Sequence, residues 1–309
     1  MSVYNETPKM LSQSINSILN QTYTNFEFII VLDNPKNSEL LGVLSDFSKK
    51  DSRIKLLVND VNLGLPLSLN KAIAISNGEY IARMDADDIS LPNRFEIQHK
   101  YFLDHPECDL ISTNRIYIDE NDNLYGDEMT LNYSSEKIKQ LLKYRCIIVH
   151  PTIMIKKNVL TSVGGYRDFK AAQDYDLWLR LSKIDIEMKI LPDVLLYYRM
   201  RKDGISQSNY AKQYAYSMLA QYLYKIENSN CDLFNEENKV AFFKRKKLFK
   251  DKDQHRFNKA YQTFDCGLKD IHSGKTIIGL AKLTKSLFIH KALCGILVKS
   301  VKFKICAQI

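Results

Sequence analysis

Met10, Leu11, Ile15, Ile18 and Leu19 recur at helical spacing with Ser14 on the same side, and the pattern stops at Asn20-Gln21-Thr22. This spacing predicts an amphipathic helix. Glu27–Leu32 follows as a near-continuous apolar run, the pattern of a strand buried on both faces of a parallel sheet, and it ends at Asp33-Asn34-Pro35. The alternation then repeats: a helix over Ser38–Ser48, a strand Ile54–Val58, a loop Asn59–Pro66, a helix Leu67–Ile75 stopped by Asn77-Gly78, and a strand Glu79–Met84. Strands alternating with helices predict an α/β fold with a parallel sheet. In such sheets ligands bind beyond the carboxyl ends of the strands, so the segments after Leu32, Val58 and Met84 are where chemistry is expected.

Directly after the third of these strands comes Asp85-Ala86-Asp87-Asp88. In extended backbone Asp85 and Asp87 project to one side, and two carboxylates packed together call for a cation to neutralise them. A hard divalent ion with oxygen ligands fits, and an ion held by one or two carboxylates completes its shell with substrate phosphates and water. This points to a nucleotide. An alternative use of the same acids is to cap the helix expected after Leu91-Pro92-Asn93-Arg94.

The chain has 309 residues, 45% hydrophobic and 26% charged, which excludes disordered, collagenous and disulfide-miniprotein classes. Its six cysteines have no Cys-x-x-Cys or metal-ligand spacing and no leader-like segment ahead of them, as expected of reduced thiols in the cytosol. The longest apolar runs, Phe28–Leu32 and Ala292–Val298, fall short of the roughly 20 residues a membrane-spanning helix needs. Charge is divided unevenly. Residues 239–309 carry 17 Lys and Arg against 4 Asp and Glu, so a tail of +13 follows a body of −5. Such a tail is expected to meet a polyanion, either nucleic acid or an anionic membrane.

Six segments occur in a recognisable order: Ser2-Val3-Tyr4-Asn5, Ser17–Tyr23, Asn62-Leu63-Gly64-Leu65, Asn77–Asp88, His150-Pro151-Thr152 and Gln173–Trp178. In these the chain strongly resembles glycosyltransferase family 2 over about residues 2–208. The resemblance implies the GT-A fold, a Rossmann-like and mostly parallel sheet. It also implies a nucleoside-diphosphate sugar donor, inversion at the anomeric carbon, and work in bacterial capsule, O-antigen or exopolysaccharide synthesis. A GT-A catalytic domain is thus expected over 1–209 and a basic helical region over 210–309.

By the same resemblance Tyr4 and Asp33 contact the nucleotide base, with Asp33 accepting from the imide N–H of a uracil, so a UDP-sugar is the expected donor. Asp85 matches the acid near ribose and metal, and Asp87 the metal ligand proper for Mn2+ or Mg2+, with Asp88 a further candidate. Asp174, at the first turn of a helix whose Leu177 and Leu181 face inward, matches the catalytic base that takes the acceptor hydroxyl's proton. A plain helix cap is the alternative, and Asp176 is the competing base. Trp178 is either a sugar platform or a core residue, and His150 either orients phosphate or acceptor or sits satisfied in a loop. Where relatives commonly read Tyr-Arg-x-His, Arg201 stands in the His place and is suited to clamp diphosphate oxygens.

Two features depart from the pattern. Family members place a buried strand of several residues before the Ser-x-Tyr-Asn run, whereas here Met1 stands at that strand's end, suggesting an internal methionine taken as the start. Gln173 replaces the Glu often found before the base. The expected enzyme is an inverting, divalent-cation-dependent hexosyltransferase using a glycan acceptor, lipid-linked by analogy with the family, at the inner, anionic face of the cell membrane. Nucleic acid is set aside as a partner, since the basic aromatic run Phe242–Lys247 carries no recognised reading motif. The rivals are a nucleotidyltransferase, for which Ser2–Lys9 lacks a Gly-rich triphosphate loop, and a non-catalytic membrane-docking protein.

Overall fold

The computed structural model describes residues 1–125, 130–201, 210–227, 233–246, 251–290 and 292–307. The chain forms two compact units, Met1–Lys139 with Ile147–Arg201, and Gln140–Cys146 with Lys202–Ile309. The expected boundary at 209–210 borders residues 202–209, which lie outside the described residues, as does Lys247 of the basic run.

In the first unit, β1 (Ser2–Val3), β2 (Phe28–Leu32) and β3 (Ile54–Val58) form a three-stranded parallel sheet in that order. The crossovers are α1 (Pro8–Leu19) and α2 (Ser38–Lys50). Helix α1 begins where Thr7 Oγ1 accepts from the Met10 amide and Pro8 supplies a helical φ at no cost in hydrogen bonds. All five residues of β2 are buried, as their unbroken apolar run requires. Each fully covered Ile or Leu of this kind contributes roughly 1.5–3 kcal/mol. The strand before Tyr4 is short but present in the ladder: Ser2 and Val3 pair with Val31 and Leu32, and the Val31 amide donates to the Met1 carbonyl.

Helix α3 (Leu65–Ile75) leads to β4 (Tyr80–Ala82), and here the expected parallel series breaks. β4 pairs antiparallel with β8 (Met154–Lys156). The second sheet is mixed, ordered β4-β8-β6-β9-β5, with β5 at Ile89–Ser90, β6 at Cys108–Ile118 and β9 at Glu187–Arg199; β7 (Leu124–Tyr125) pairs on β6. Only β6 and β9 are parallel in it. One hydrophobic core nonetheless spans both sheets, joining Val3, Ile30 and Leu32 to Met84, Ile111, Met154 and Leu196. The remaining helices of this unit that matter to the site are α4 (Arg94–Asp104) and α7 (Gln173–Leu181), with α5 (Ser135–Leu142) and α6 (Lys157–Ser162) between them.

The second unit contains α8 (Tyr210–Ile226), α9 (Glu236–Lys246), α10 (Asp251–His272), α11 (Thr276–Ile289) and α12 (Ala292–Ala307). Its core gathers Ala211, Phe257, Ala260, Phe264, Leu283 and Leu293. Helices α10 and α11 meet backbone to backbone: a Cβ on Gly279 would stand 2.6 Å from the Gly267 carbonyl oxygen. Among the described residues no helix is long and apolar enough to cross a membrane.

Candidate functional site

The site begins where β2 ends. Asp33 is buried, and its carboxylate holds the following loop: Oδ1 accepts from Leu63 N at 2.8 Å and Asn59 Nδ2 at 2.7 Å, and Oδ2 accepts from Gly64 N at 2.8 Å. Asn59 is fixed in turn by Lys71 Nζ, which donates to its Oδ1 at 2.7 Å. Three donors thus use most of the roughly four acceptor positions of a carboxylate. Asp33 therefore builds the Asn59–Gly64 loop, a role its place in the sequence did not reveal. Tyr4 lies next to it through backbone contacts, with Asn34 Nδ2 donating to the Tyr4 carbonyl at 3.1 Å, and is 45% exposed.

Beyond β4 the chain leaves extended pairing and Arg83 to Asp88 turn through the core. Arg83 is buried and forms an ion pair with Asp85 through Nη1; its Nε has no acceptor among the described residues. The Asp85 carbonyl accepts from Ser14 Oγ of α1 at 2.8 Å. Asp87 stands 3.5 Å from the Arg201 guanidinium. Burial first, then repulsion from Asp85 and Glu6, raises Asp87 to about 7 against the pull of Arg201. Asp88 is pushed well above the carboxylate range by burial and by Asp85 and Asp87. Its Oδ1 accepts from the Arg199 amide at 2.8 Å, while its buried Oδ2 has no partner among the described residues. None of these acids caps α4, whose preceding residue is Asn93.

Three residues of this cluster escaped sequence reasoning. Glu6 donates charge to it and is itself raised by burial, with Asp85 adding to the rise. Its signal was its place two residues after Tyr4, whose amide it accepts at 2.8 Å. Arg83 carried the same alternation as Asp85 and Asp87. Arg199 is the Arg of the Tyr-Arg-x-His stretch, but what it holds shows only in three dimensions: its Nε donates to the Asp87 carbonyl at 2.7 Å and its Nη1 to Asp119 O at 3.0 Å and Asp122 Oδ1 at 2.6 Å. It bolts the backbone of the acidic turn to the hairpin that follows β6.

Asp174 sits in the first turn of α7 without capping it; the cap position is Ala172, in the left-handed region with φ 52°. Burial raises Asp174, the Tyr175 amide and Arg83 oppose the rise, and Asp85 adds to it. Asp174 thus feels both Asp85 of the acidic turn and the Arg83 guanidinium paired with it. Asp176 differs. Its Oδ1 accepts from Arg167 Nη1 at 3.2 Å and its Oδ2 from Arg180 Nε at 2.9 Å, and Arg180 continues to the Val163 and Gly165 carbonyls at 2.6 and 2.7 Å. Two arginines occupy the carboxylate proposed as the competing base. His150 is buried beneath this layer, with Nε2 2.7 Å from the Tyr166 hydroxyl, and burial together with Arg83 keeps it neutral. Trp178 is 0% exposed, so the platform alternative gives way to the core one, its ring edge-on to His150.

The acids are hard oxygen donors in excess of their arginines, and Asp88 Oδ2 is an orphaned buried acceptor. Among the described residues no three His, Cys, Asp or Glu side chains gather closely enough to hold an ion alone. The donor set therefore fits a divalent ion that takes one or two protein carboxylates and borrows the rest of its shell.

Residues 1–164 match the model of glycosyl transferase family 2. An uncharacterised glycosyltransferase of Methanocaldococcus jannaschii is 39% identical over 221 residues, covering 71% of this chain and 76% of its own. The O-antigen biosynthesis glycosyltransferase WbnJ of Escherichia coli is 34% identical over 202 residues, covering 65% and 78%. The amylovoran biosynthesis glycosyltransferase AmsE of Erwinia amylovora is 32% identical over 218 residues, covering 69% and 80%. Among solved structures, S. aureus TarS 1-349 in complex with UDP-GlcNAc superposes with a TM-score of 0.59 at 16% identity, covering 78% of this chain and 69% of that one. The chain spans 41% of the longer TarS chain. By the family match, these relatives and this fold, the chain belongs to glycosyltransferase family 2 and is a glycosyltransferase of the GT-A type.

Proposed function

We propose that the protein transfers a sugar, with inversion, from a UDP-sugar to a glycan acceptor in surface-polysaccharide synthesis, in a divalent-cation-dependent reaction. The observation that carries this reading is the acidic turn itself, in which Asp85 pairs with the buried Arg83 and Asp88 Oδ2 is an orphaned acceptor, with Arg83 and Asp85 both acting on the buried Asp174. A proton acceptor and a cation-binding turn in one cluster are what an inverting displacement needs.

Asp87, with Asp85 or Asp88, would hold Mn2+ or Mg2+. When bound, the ion neutralises charge developing on the departing diphosphate. Arg201, whose guanidinium lies 3.5 Å from Asp87, would clamp the diphosphate oxygens. Tyr4, exposed beside Asp33, lies against the uracil, and Asp33 holds the Asn59–Gly64 loop that borders it. Asp174 accepts the proton of the acceptor hydroxyl as its oxygen attacks the anomeric carbon; burial raises its affinity for protons, which suits it to that step. Support for a uridine donor comes from the UDP-GlcNAc complex of TarS, and for a glycan acceptor from relatives named for O-antigen and amylovoran synthesis. A lipid-linked acceptor and a peripheral position on the cytoplasmic side of an anionic membrane belong to the same reading.

The test is UDP release with Mn2+ across a panel of UDP-sugars. Asp87→Ala and Asp174→Asn should each lower turnover by two or more orders of magnitude, the scale of a lost general base or charge stabiliser. Undiminished release in both variants contradicts the assignment.

A further inference from the structure

Helix α11 packs one side inward through Gly279, Leu283 and Ser286, all buried, with Gly279 against the α10 backbone. The opposite side of the helix, at i, i+4, i+7 and i+11 from Ile277, carries Ile277, Ala281, Thr284 and Phe288. Ile277 is 84% exposed and Phe288 85%. Helix α12 repeats the arrangement: Leu293 is buried, while Cys294, Val298, Val301 and Ile305 follow the same i, i+4, i+7, i+11 row and are all exposed. Two successive helices each leaving an aliphatic row in water is not the surface of an isolated soluble domain.

Charge identifies what covers it. Residues 276–307 contain six lysines and not one Asp or Glu. Lys285 and Lys302, each one step of the wheel from its apolar row, are exposed, as are Lys275 and Lys304. A second copy of the chain laid on these rows would bring lysine against lysine, whereas a plane of lipid phosphates neutralises the exposed ones; Lys282 is already paired with Asp270. Neither helix spans a bilayer, and an apolar row flanked by lysines is the pattern of a helix lying in the headgroup layer.

We propose that α11 and α12 are a docking surface for anionic membrane lipids, with the Ile277–Phe288 and Cys294–Ile305 rows entering the interface and the flanking lysines meeting phosphate. This rests on the membrane-located reading of the enzyme and names the surface responsible. The full chain is mixed with phosphatidylcholine vesicles, with and without phosphatidylglycerol, and sedimented. It should bind the anionic vesicles and lose binding as salt rises. Ile277→Glu with Phe288→Glu, and separately Lys285→Glu with Lys302→Glu, should each weaken binding at least tenfold, given roughly 1 kcal/mol for each basic residue near the surface. Melting temperature should stay unchanged, since all four positions are exposed. UDP release to a water-soluble acceptor should be retained in both variants, which separates failure of this surface from failure of the transferase reading. Equal binding to neutral vesicles, binding unaffected by either pair, or a dimer in sedimentation velocity that Phe288→Glu dissociates would overturn the proposal.

Discussion

Asp174 and Asp176 are two residues apart on one helix, yet their surroundings demand opposite responses to the same substitution. Asp176 is 2% exposed between Arg167 and Arg180, themselves 12% and 11% exposed. Asp176→Asn keeps the shape but removes the charge that faces two largely buried guanidiniums. Breaking a buried pair in this way costs about 3–5 kcal/mol. For a unit of this size that corresponds to a fall in Tm of roughly 6–20 °C. The damage should spread along Arg180 to the Val163–Gly165 turn that it fixes. Asp174→Asn instead removes a carboxylate whose ionised form is disfavoured by burial. The sign follows from linkage. A carboxyl raised in the folded state makes the wild type lose stability, relative to Asp174→Asn, as pH climbs from the ordinary carboxylate range through the raised value. Calorimetric melts from pH 4 to 8 and UDP release on the same samples check both variants. Asp174→Asn should be inactive and at least as stable as wild type at neutral pH, and Asp176→Asn clearly less stable. An Asp176→Asn protein that melts with the wild type yet has no turnover, beside an active Asp174→Asn, would refute the reasoning.

Further outcomes follow from the same geometry. The acid limb of kcat/KM should lie above the ordinary carboxylate range because Asp174 must be ionised to act, and a rate profile flat down to pH 4 would exclude it as the base. UDP and Mn2+ together should raise Tm more than either alone, and Asp87→Asn should abolish the extra rise, read by thermal melts. Arg199→Lys should weaken Mn2+-dependent UDP binding while leaving the fold in place, because Lys has one ammonium for the Asp87 carbonyl, the Asp119 carbonyl and Asp122 together; unchanged calorimetric affinity would count against its bolting role. Asp122 is held down at about 2 by hydrogen bonds from Gln13, Arg199 and Lys9 against a burial penalty. The stability gap between wild type and Asp122→Asn should therefore be full above pH 4 and close as pH falls toward 2, as urea titrations would report.

Much of this was legible in the order of residues. The span of α1, the buried strand β2, the strand β3 and the acidic turn beyond β4 follow from local periodicity and stop signals, which act over a few residues. The position of Asp174 in the first turn of α7 follows from the Leu177–Leu181 spacing. What was not legible lies in pairings between distant segments. The antiparallel β4–β8 ladder depends on residues 154–156 returning beside 80–82. Arg199 reaches Asp87 across 112 positions, and Arg180 reaches Val163 across 17. Trp178 stands beside the inward-facing Leu177–Leu181 row, so periodicity could not say whether its ring was exposed or core; it is core. In the tail, the lysines do not gather on one helical face, but the aliphatic residues between them do, and only burial on the opposite side of α11 made that visible.

The central claim is that the Asp85–Asp88 turn holds a divalent ion against the donor's diphosphate with Asp174 facing the sugar. Crystals grown with UDP and Mn2+, measured at the manganese absorption edge, test it most directly. The expected result is one anomalous peak at ligand distance from Asp87 and a diphosphate oxygen, with Arg201 moved from Asp87 to phosphate. A peak elsewhere, or UDP bound with Asp87 still paired to Arg201 and no manganese beside it, contradicts the account.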